Sequence, residues 1–242
     1  MPQFLIHPDD IKENHATLRG EEVKHLVKVL RYKIGDMLWV SDGEILYLTR
    51  IESLTSKEVI LKLLESHKPI LPAPSPALAI ALLKHDHLEW VIQKGVELGT
   101  SEFYLFISER TIPHYREGAT PKKLARFEKI ALEAAKQSGM VAIPKIHPPL
   151  SLQALTQEFK KFSAVVLAWE QESDSNFHSV FETLDPTRLL TLIGPEGGFS
   201  AREVAAAEKE GAKKVGLGRQ ILRAETAAIA LLTLCQYELG NI

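Results

Sequence analysis

After residue 76 the chain alternates between short apolar runs and stretches with helical spacing. Residues 77–83, 103–107, 164–168, 189–193 and 214–217 are largely apolar, the pattern of strands buried on both faces. Helical spacing fills the intervals at 87–98, 121–138, 151–160 and 201–210, and returns at 224–239. In the second of these, Leu124, Phe127, Ala131 and Ala134 form one stripe, Thr120 stands at the cap and Pro121 takes the first helical position. Ser200 stands three residues before Glu203, the spacing of a capping box. Strand–helix alternation predicts an α/β domain with a mostly parallel sheet.

Before residue 70 the pattern is different. Strand-like runs at 36–41, 45–51 and 58–64 surround one helix at 21–31, whose apolar stripe is Val23, Leu26, Val27 and Leu30. Asp42-Gly43 supplies a hairpin turn between the first two runs. Several short strands with one helix predict a small β-barrel. Residues 68–76 hold four prolines in nine positions, which makes them a stiff, extended linker. Two domains follow, at 1–70 and 75–242.

Composition narrows the classes. A formal net charge of −2 removes global attraction to nucleic acid but leaves room for a local basic patch. Cys235 is the only cysteine, so neither a disulfide framework nor a cysteine-based metal site is available, and its place on an apolar helix side makes it core filler. No stretch reaches transmembrane length and the first residues lack a signal peptide's apolar region, so a cytoplasmic protein is expected. His85-Asp86-His87 is the one metal-like cluster. Its spacing suits a strand-to-helix turn capped by Asp86 better, and no metal is expected.

The strongest chemical signal lies at 189–200, where an apolar run ends in a glycine loop and a helix start follows. Gly194, Gly197 and Gly198 supply positive φ and side-chain-free backbone for a turn that hugs a ligand. A second loop, Leu217-Gly218-Arg219-Gln220-Ile221-Leu222-Arg223, lies one helix downstream. Neither Gly-x-Gly-x-x-Gly after the first strand nor Gly-x-x-x-x-Gly-Lys-Ser/Thr is present, which argues against a standard dinucleotide fold or a phosphate-cradling NTPase. Late glycine loops without phosphate motifs suit an adenosine with a small charged tail. S-adenosylmethionine is such a ligand.

Residues 193–200 followed by 217–227 resemble the ribosomal RNA uridine-N3 methyltransferase family of the SPOUT class. His25-Leu26-Val27-Lys28-Val29-Leu30-Arg31 with Gly35-Asp36, and the segments 93–99 and 133–139, match further motifs of that family. The resemblance implies a PUA-like, RNA-binding N-terminal β-barrel. It also implies a C-terminal SPOUT-type α/β domain whose last segment forms a trefoil knot. A homodimer that uses S-adenosylmethionine to methylate N3 of one uridine in 16S ribosomal RNA of the 30S subunit is implied as well.

Carried onto this chain, the resemblance implies a cofactor site from Leu167, Ala168, Ile193, Gly194, Pro195, Glu196, Gly197, Gly198, Leu217, Gly218, Ile221, Leu222, Arg223, Thr226 and Ala227. Arg223 stands beside that pocket, where it would hold a phosphate or polarise a uracil oxygen. Glu196 is the candidate for orienting the base or accepting the N3 proton, and Glu225 is a weaker one. Both also fit as loop-fixing hydrogen-bond acceptors.

RNA needs positive charge, and 108–136 carries seven Lys or Arg against four Glu, with His114 besides. Arg110, Arg116, Lys122, Lys123 and Arg126 are candidate RNA contacts there, Gln137 of the 133–139 motif is another, and Lys28 and Arg31 add a second patch. Met140 follows Gln-Ser-Gly where the family usually carries a basic residue. Two other readings stay open on the same fold: a non-catalytic RNA-binding or ribosome-assembly protein, and a methyltransferase with a different RNA target. A small-molecule enzyme with another adenosine cofactor is a third.

Overall fold

The computed structural model describes residues 3–68, 74–84, 86–112, 120–175 and 177–242, with the Thr120 side chain outside that set. The chain divides into two compact units, Met1–Ile70 with Ala135–Ile143, and Leu71–Ala134 with Pro144–Ile242.

The first unit is built on one six-stranded sheet in the order β1-β4-β5-β6-β3-β2. Its strands are β1 (Gln3–Leu5), β2 (Ile11–Lys12), β3 (His15–Arg19), β4 (Met37–Ser41), β5 (Leu46–Leu54) and β6 (Glu58–His67). All neighbours are antiparallel except β1 and β4. The edge strands β1 and β2 are not paired with each other, so the sheet is a half-barrel. Phe4, Leu18, Leu26, Leu38, Val40, Ile51, Val59 and Leu61 fill its concave core. Asp42 shapes the β4–β5 turn: its Oδ1 accepts the N–H groups of Glu44 (2.9 Å) and Ile45 (2.7 Å), and Gly43 takes φ +96°.

The helix expected at 21–31 is shorter and of two kinds. α1 (Glu21–Lys24) passes into a π-helical turn, His25–Val29, closed by the Leu30 N–H donating to His25 O at 3.1 Å. Arg31 then takes φ +58°, which ends any helix.

The second unit carries a wholly parallel sheet in the order β12-β10-β11-β7-β8-β9. Its strands are β7 (Ala77–Ala81), β8 (Glu102–Ile107), β9 (Lys145–Ser151), β10 (Ala164–Ala168), β11 (Leu189–Ile193) and β12 (Lys213–Val215). The helices are α2 (His87–Glu97), α3 (Thr120–Ser138), α4 (Leu152–Glu158), α5 (Phe177–Phe181), α6 (Ala201–Lys209) and α7 (Ala224–Glu238). The last turn of α3 groups with the first unit. From β7 the path runs outward to β8 and β9, then crosses to β10, and β11 fills the slot between β10 and β7. β7 and β11 are buried at every position, as two-sided covering requires.

Several details depart from the expectations. β9 was not foreseen, because Pro148 and Pro149 interrupt its apolar pattern; it is an edge strand, where proline is tolerated. Asp86 occupies the cap position of α2 but makes no side-chain cap bond. Gly194 and Gly197 do not have positive φ; only Gly198 does, at +67°. Among the described residues no helix is long and apolar enough to cross a membrane. Cys235 is fully buried, and burial pushes its thiol pKa far up.

Candidate active site

Side chains and backbone at the carboxyl ends of β10, β11 and β12 enclose a cavity of about 230 Å³. Three loops wall it. Ala168, Trp169 and Glu170 follow β10; Ile193 to Phe199 follow β11; Leu217, Gly218, Gln220, Ile221 and Leu222 follow β12, with Ala224 and Ala227 from the start of α7. Open parallel sheets bind their ligands at this end, beside a reversal of the strand path.

The β11 loop is fixed from below. Ser200 Oγ accepts the Glu203 N–H at 3.3 Å while Glu203 Oε2 accepts the Ser200 N–H at 2.9 Å, completing the capping box. Buried Glu203 uses its other oxygen to accept the Glu109 N–H at 2.9 Å, from the loop after β8. Glu196 Oε1 accepts the Lys84 N–H at 2.8 Å, from the loop after β7. Arg110 donates to Gly197 O at 2.8 Å. The glycine loop and the helix start after it are thus tied to the loops after β7 and β8, mostly by carboxylates accepting backbone N–H groups.

Each loop glycine answers to a separate contact. A Cβ on Gly194 would lie 3.0 Å from the Phe199 ring, which is buried beneath the loop and stacks near-parallel on Phe106. One on Gly197 would lie 3.1 Å from Arg110 Cβ. One on Gly198 would run into the Glu170 carboxylate. Gly218 has open space around it and φ +113°, so conformation alone requires glycine there.

The β10 loop is anchored at both ends. Trp169 N–H donates to Val215 O at 3.0 Å and Gly216 N–H donates to Ser175 O at 2.9 Å. Between them Glu172 Oε1 accepts the N–H groups of Asp174 (2.8 Å) and Ser175 (3.0 Å), and its other oxygen lies 3.3 Å from Lys214 Nζ. The two backbone N–H groups, helped by Lys214, hold the Glu172 carboxyl below the usual carboxylate range. Lys214 also lies over the Trp169 ring, 5.6 Å from its centroid. The Trp169 Nε1–H is buried with no hydrogen-bond partner among the described residues.

Of the residues expected at a cofactor, Ala168, Ile193, Gly194, Pro195, Glu196, Gly197, Gly198, Leu217, Gly218, Ile221, Leu222 and Ala227 line this cavity. Leu167 does not: it is 1% exposed and belongs to the sheet core. Exposed Thr226 is outside the wall, and so is Arg223, which is exposed at the cap position of α7 without a side-chain cap bond. Glu225 is also outside it, with Oε2 buried 3.7 Å from His87 Nδ1. Trp169, Glu170, Phe199, Gln220 and Ala224 line the cavity and were not anticipated. The signal for the first two was available: they directly follow the carboxyl end of a buried parallel strand.

The expected RNA contacts fare unevenly. Lys28, Arg31, Lys122 and Gln137 are exposed. Lys123 is exposed beside Lys122 on α3, and Arg126 pairs with Glu89 at 2.7 Å. Arg110 is spent on the glycine loop. Arg116, His114 and His85 lie outside the described residues. Met140 is part-buried, and its carbonyl accepts the Gln3 side-chain amide at 3.4 Å. Segment 93–99 packs rather than lining the cavity: Glu97 pairs with Lys94 at 2.8 Å, and Gly95 lies under Phe103.

Residues 72–236 match the family model described as an RNA methyltransferase domain, and residues 18–64 match an RNA methyltransferase PUA domain. A protein of Mesomycoplasma hyopneumoniae named ribosomal RNA small subunit methyltransferase E is 34% identical over 235 residues, 97% of this chain and 99% of its own. The Bacillus subtilis protein of the same name is 33% identical, covering 92% of this chain and 90% of its own. A putative methyltransferase of Legionella pneumophila, solved with its bound cofactor SAM, superposes with a TM-score of 0.81 at 26% identity, over 98% of this chain and 97% of its own.

Proposed function

The chain belongs to the ribosomal RNA small subunit methyltransferase E family, and from that premise we propose that it methylates N3 of one uridine in 16S ribosomal RNA, using S-adenosylmethionine. The observation that carries the cofactor reading is the cavity's charge. Among the described residues its lining has two carboxylates, Glu170 and Glu196, and no Lys, Arg or His. Such a wall repels phosphates and favours a ligand with net positive charge. A sulfonium cofactor fits it; NAD and ATP do not.

The residues present also fit such a group sterically. A Cβ on Gly194, Gly197 or Gly198 would meet Phe199, Arg110 or Glu170 in turn, so side-chain-free backbone is what these positions offer the cavity. Leu217, Ile221 and Leu222 give a flat ring an apolar berth beside Gly218. When bound, S-adenosylmethionine supplies an electrophilic methyl group on a cationic sulfur.

The remaining work falls to this chain's own groups. A uracil N3–H is mostly protonated at neutral pH, so the site must ease loss of that proton. Glu196 is the carboxylate we assign to this end of the reaction. One of its oxygens is fixed by the Lys84 N–H, which orients the group and leaves the other oxygen for the base. Exposed Arg223, just before α7, is assigned to the RNA as a phosphate or uracil-oxygen partner. Lys28, Arg31, Lys122 and Lys123 are assigned to the phosphate backbone.

In this reading residues 1–70 bind RNA, residues 75–242 carry the chemistry, and the protein acts in the cytoplasm as a homodimer on the 30S subunit. Calorimetric titration tests the cofactor assignment. S-adenosylmethionine should bind, while NAD and ATP should not. Binding of NAD or ATP without S-adenosylmethionine would replace this reading with that of another adenosine-cofactor enzyme.

A further inference from the structure

The two carboxylates of the cavity wall are not equivalent. Glu196 is engaged, with one oxygen accepting the Lys84 N–H. Glu170 makes no hydrogen bond or ion pair with any described residue, and its carboxylate fills the space that a Cβ on Gly198 would need. It is held there by a rigid loop. The Trp169 and Gly216 backbone bonds pin that loop to β12 and the residue after it, and the Glu172 turn stiffens its middle. The nearby cation, Lys214, is taken up by Glu172 and by the Trp169 ring. An unpaired negative charge carried on an anchored loop at a ligand cavity is available as a recognition element.

Resting on the cofactor reading above, we propose that Glu170 recognises the sulfonium charge of S-adenosylmethionine and makes the cavity selective for the methyl donor over its demethylated product. The sulfonium is the ligand's uncompensated charge. The α-ammonium has its own carboxylate beside it and presents little net field. Loss of the methyl group turns the sulfonium into a neutral thioether, because the carbon–sulfur bonding pair stays on sulfur. S-adenosylhomocysteine therefore lacks the charge that Glu170 attracts, and spent cofactor leaves the cavity more readily than fresh cofactor. Because Glu170 is exposed, the attraction is partly screened and the selectivity is modest.

The test is calorimetry on the full chain with S-adenosylmethionine and S-adenosylhomocysteine, comparing wild type, Glu170→Gln and Glu170→Asp. Glu170→Gln should weaken S-adenosylmethionine about tenfold and S-adenosylhomocysteine less than about twofold. The loss should shrink at high salt, and Glu170→Asp should recover part of it. Thermal stabilisation by 5′-methylthioadenosine, which lacks the sulfonium and the charged amino-acid part, should stay unchanged and so report an intact cavity. Equal losses for the two ligands would place Glu170 on the part they share, and no loss would remove it from recognition; either result overturns the proposal. A wild-type chain that binds no S-adenosylmethionine would instead overturn the cofactor reading on which it stands.

Discussion

At the residue scale, the glycine loop shows how one residue type meets several demands. Gly198 combines φ +67° with the Glu170 carboxylate at the place a Cβ would occupy. Gly198→Ala should lower S-adenosylmethionine affinity by roughly tenfold or more, since the strain, of order 1 kcal/mol, adds to a displaced wall; calorimetry reads it. Glu203 is a different case, buried and accepting two backbone N–H groups from two loops. Removing the cap and stranding the Glu109 N–H costs about 1–3 kcal/mol each way of counting. Glu203→Ala should therefore lower Tm by roughly 2–10 °C in a thermal melt.

Glu172 sets a pH dependence whose sign follows from its lowered pKa. A carboxylate that titrates lower in the folded chain stabilises it above the ordinary carboxylate value. That contribution is lost as pH falls through the lowered value. The Tm gap between wild type and Glu172→Gln should be open at neutral pH and close in strong acid. A gap independent of pH would contradict the role of its charge. The sequence read all three loop glycines as positive-φ residues, yet two are glycine because of crowding. Their neighbours were beyond reach of pattern: Arg110 is 87 positions from Gly197.

At the scale of elements, the long periodic segments were legible and the short ones were not. The buried strands β7, β8, β10 and β11 and the helices α2, α3, α6 and α7 follow directly from apolar runs and stripes. β1, β2 and β3 span three, two and five residues, too few to establish a period. The proline pair in β9 imitates a loop. The motif at 93–99 was visible but its purpose was not, because it depends on what packs against the helix. Gly95 allows α2 to lie on Phe103, whose ring would be 2.8 Å from an added Cβ. Gly95→Ala would gain about 1 kcal/mol in helix propensity and lose about 1–3 kcal/mol to overpacking. The net result should be a lower Tm, and an unchanged or raised one would show that the ring yields freely.

At the scale of the whole molecule, function was readable because two glycine loops lie in order on one chain and the sheet gathers them at one end. The third wall was only partly read: Ala168 was expected there, while Trp169 and Glu170, the two residues after it, were passed over. Trp169 and Glu170 sit some 25 residues upstream of the nearest glycine, and parallel pairing of β10 with β11 brings them to the cavity. That wall makes the cavity acidic, which turns a generic adenosine pocket into one suited to a cationic methyl donor.

The most direct measurement is methyl transfer from labelled S-adenosylmethionine to 30S subunits lacking the modification, with the labelled nucleoside identified by mass spectrometry. Label is expected in 16S ribosomal RNA as N3-methyluridine, and Gly197→Trp should abolish it. A methyl group on N1, C5 or a ribose would contradict the assigned chemistry. RNA binding with no transfer would contradict catalysis itself.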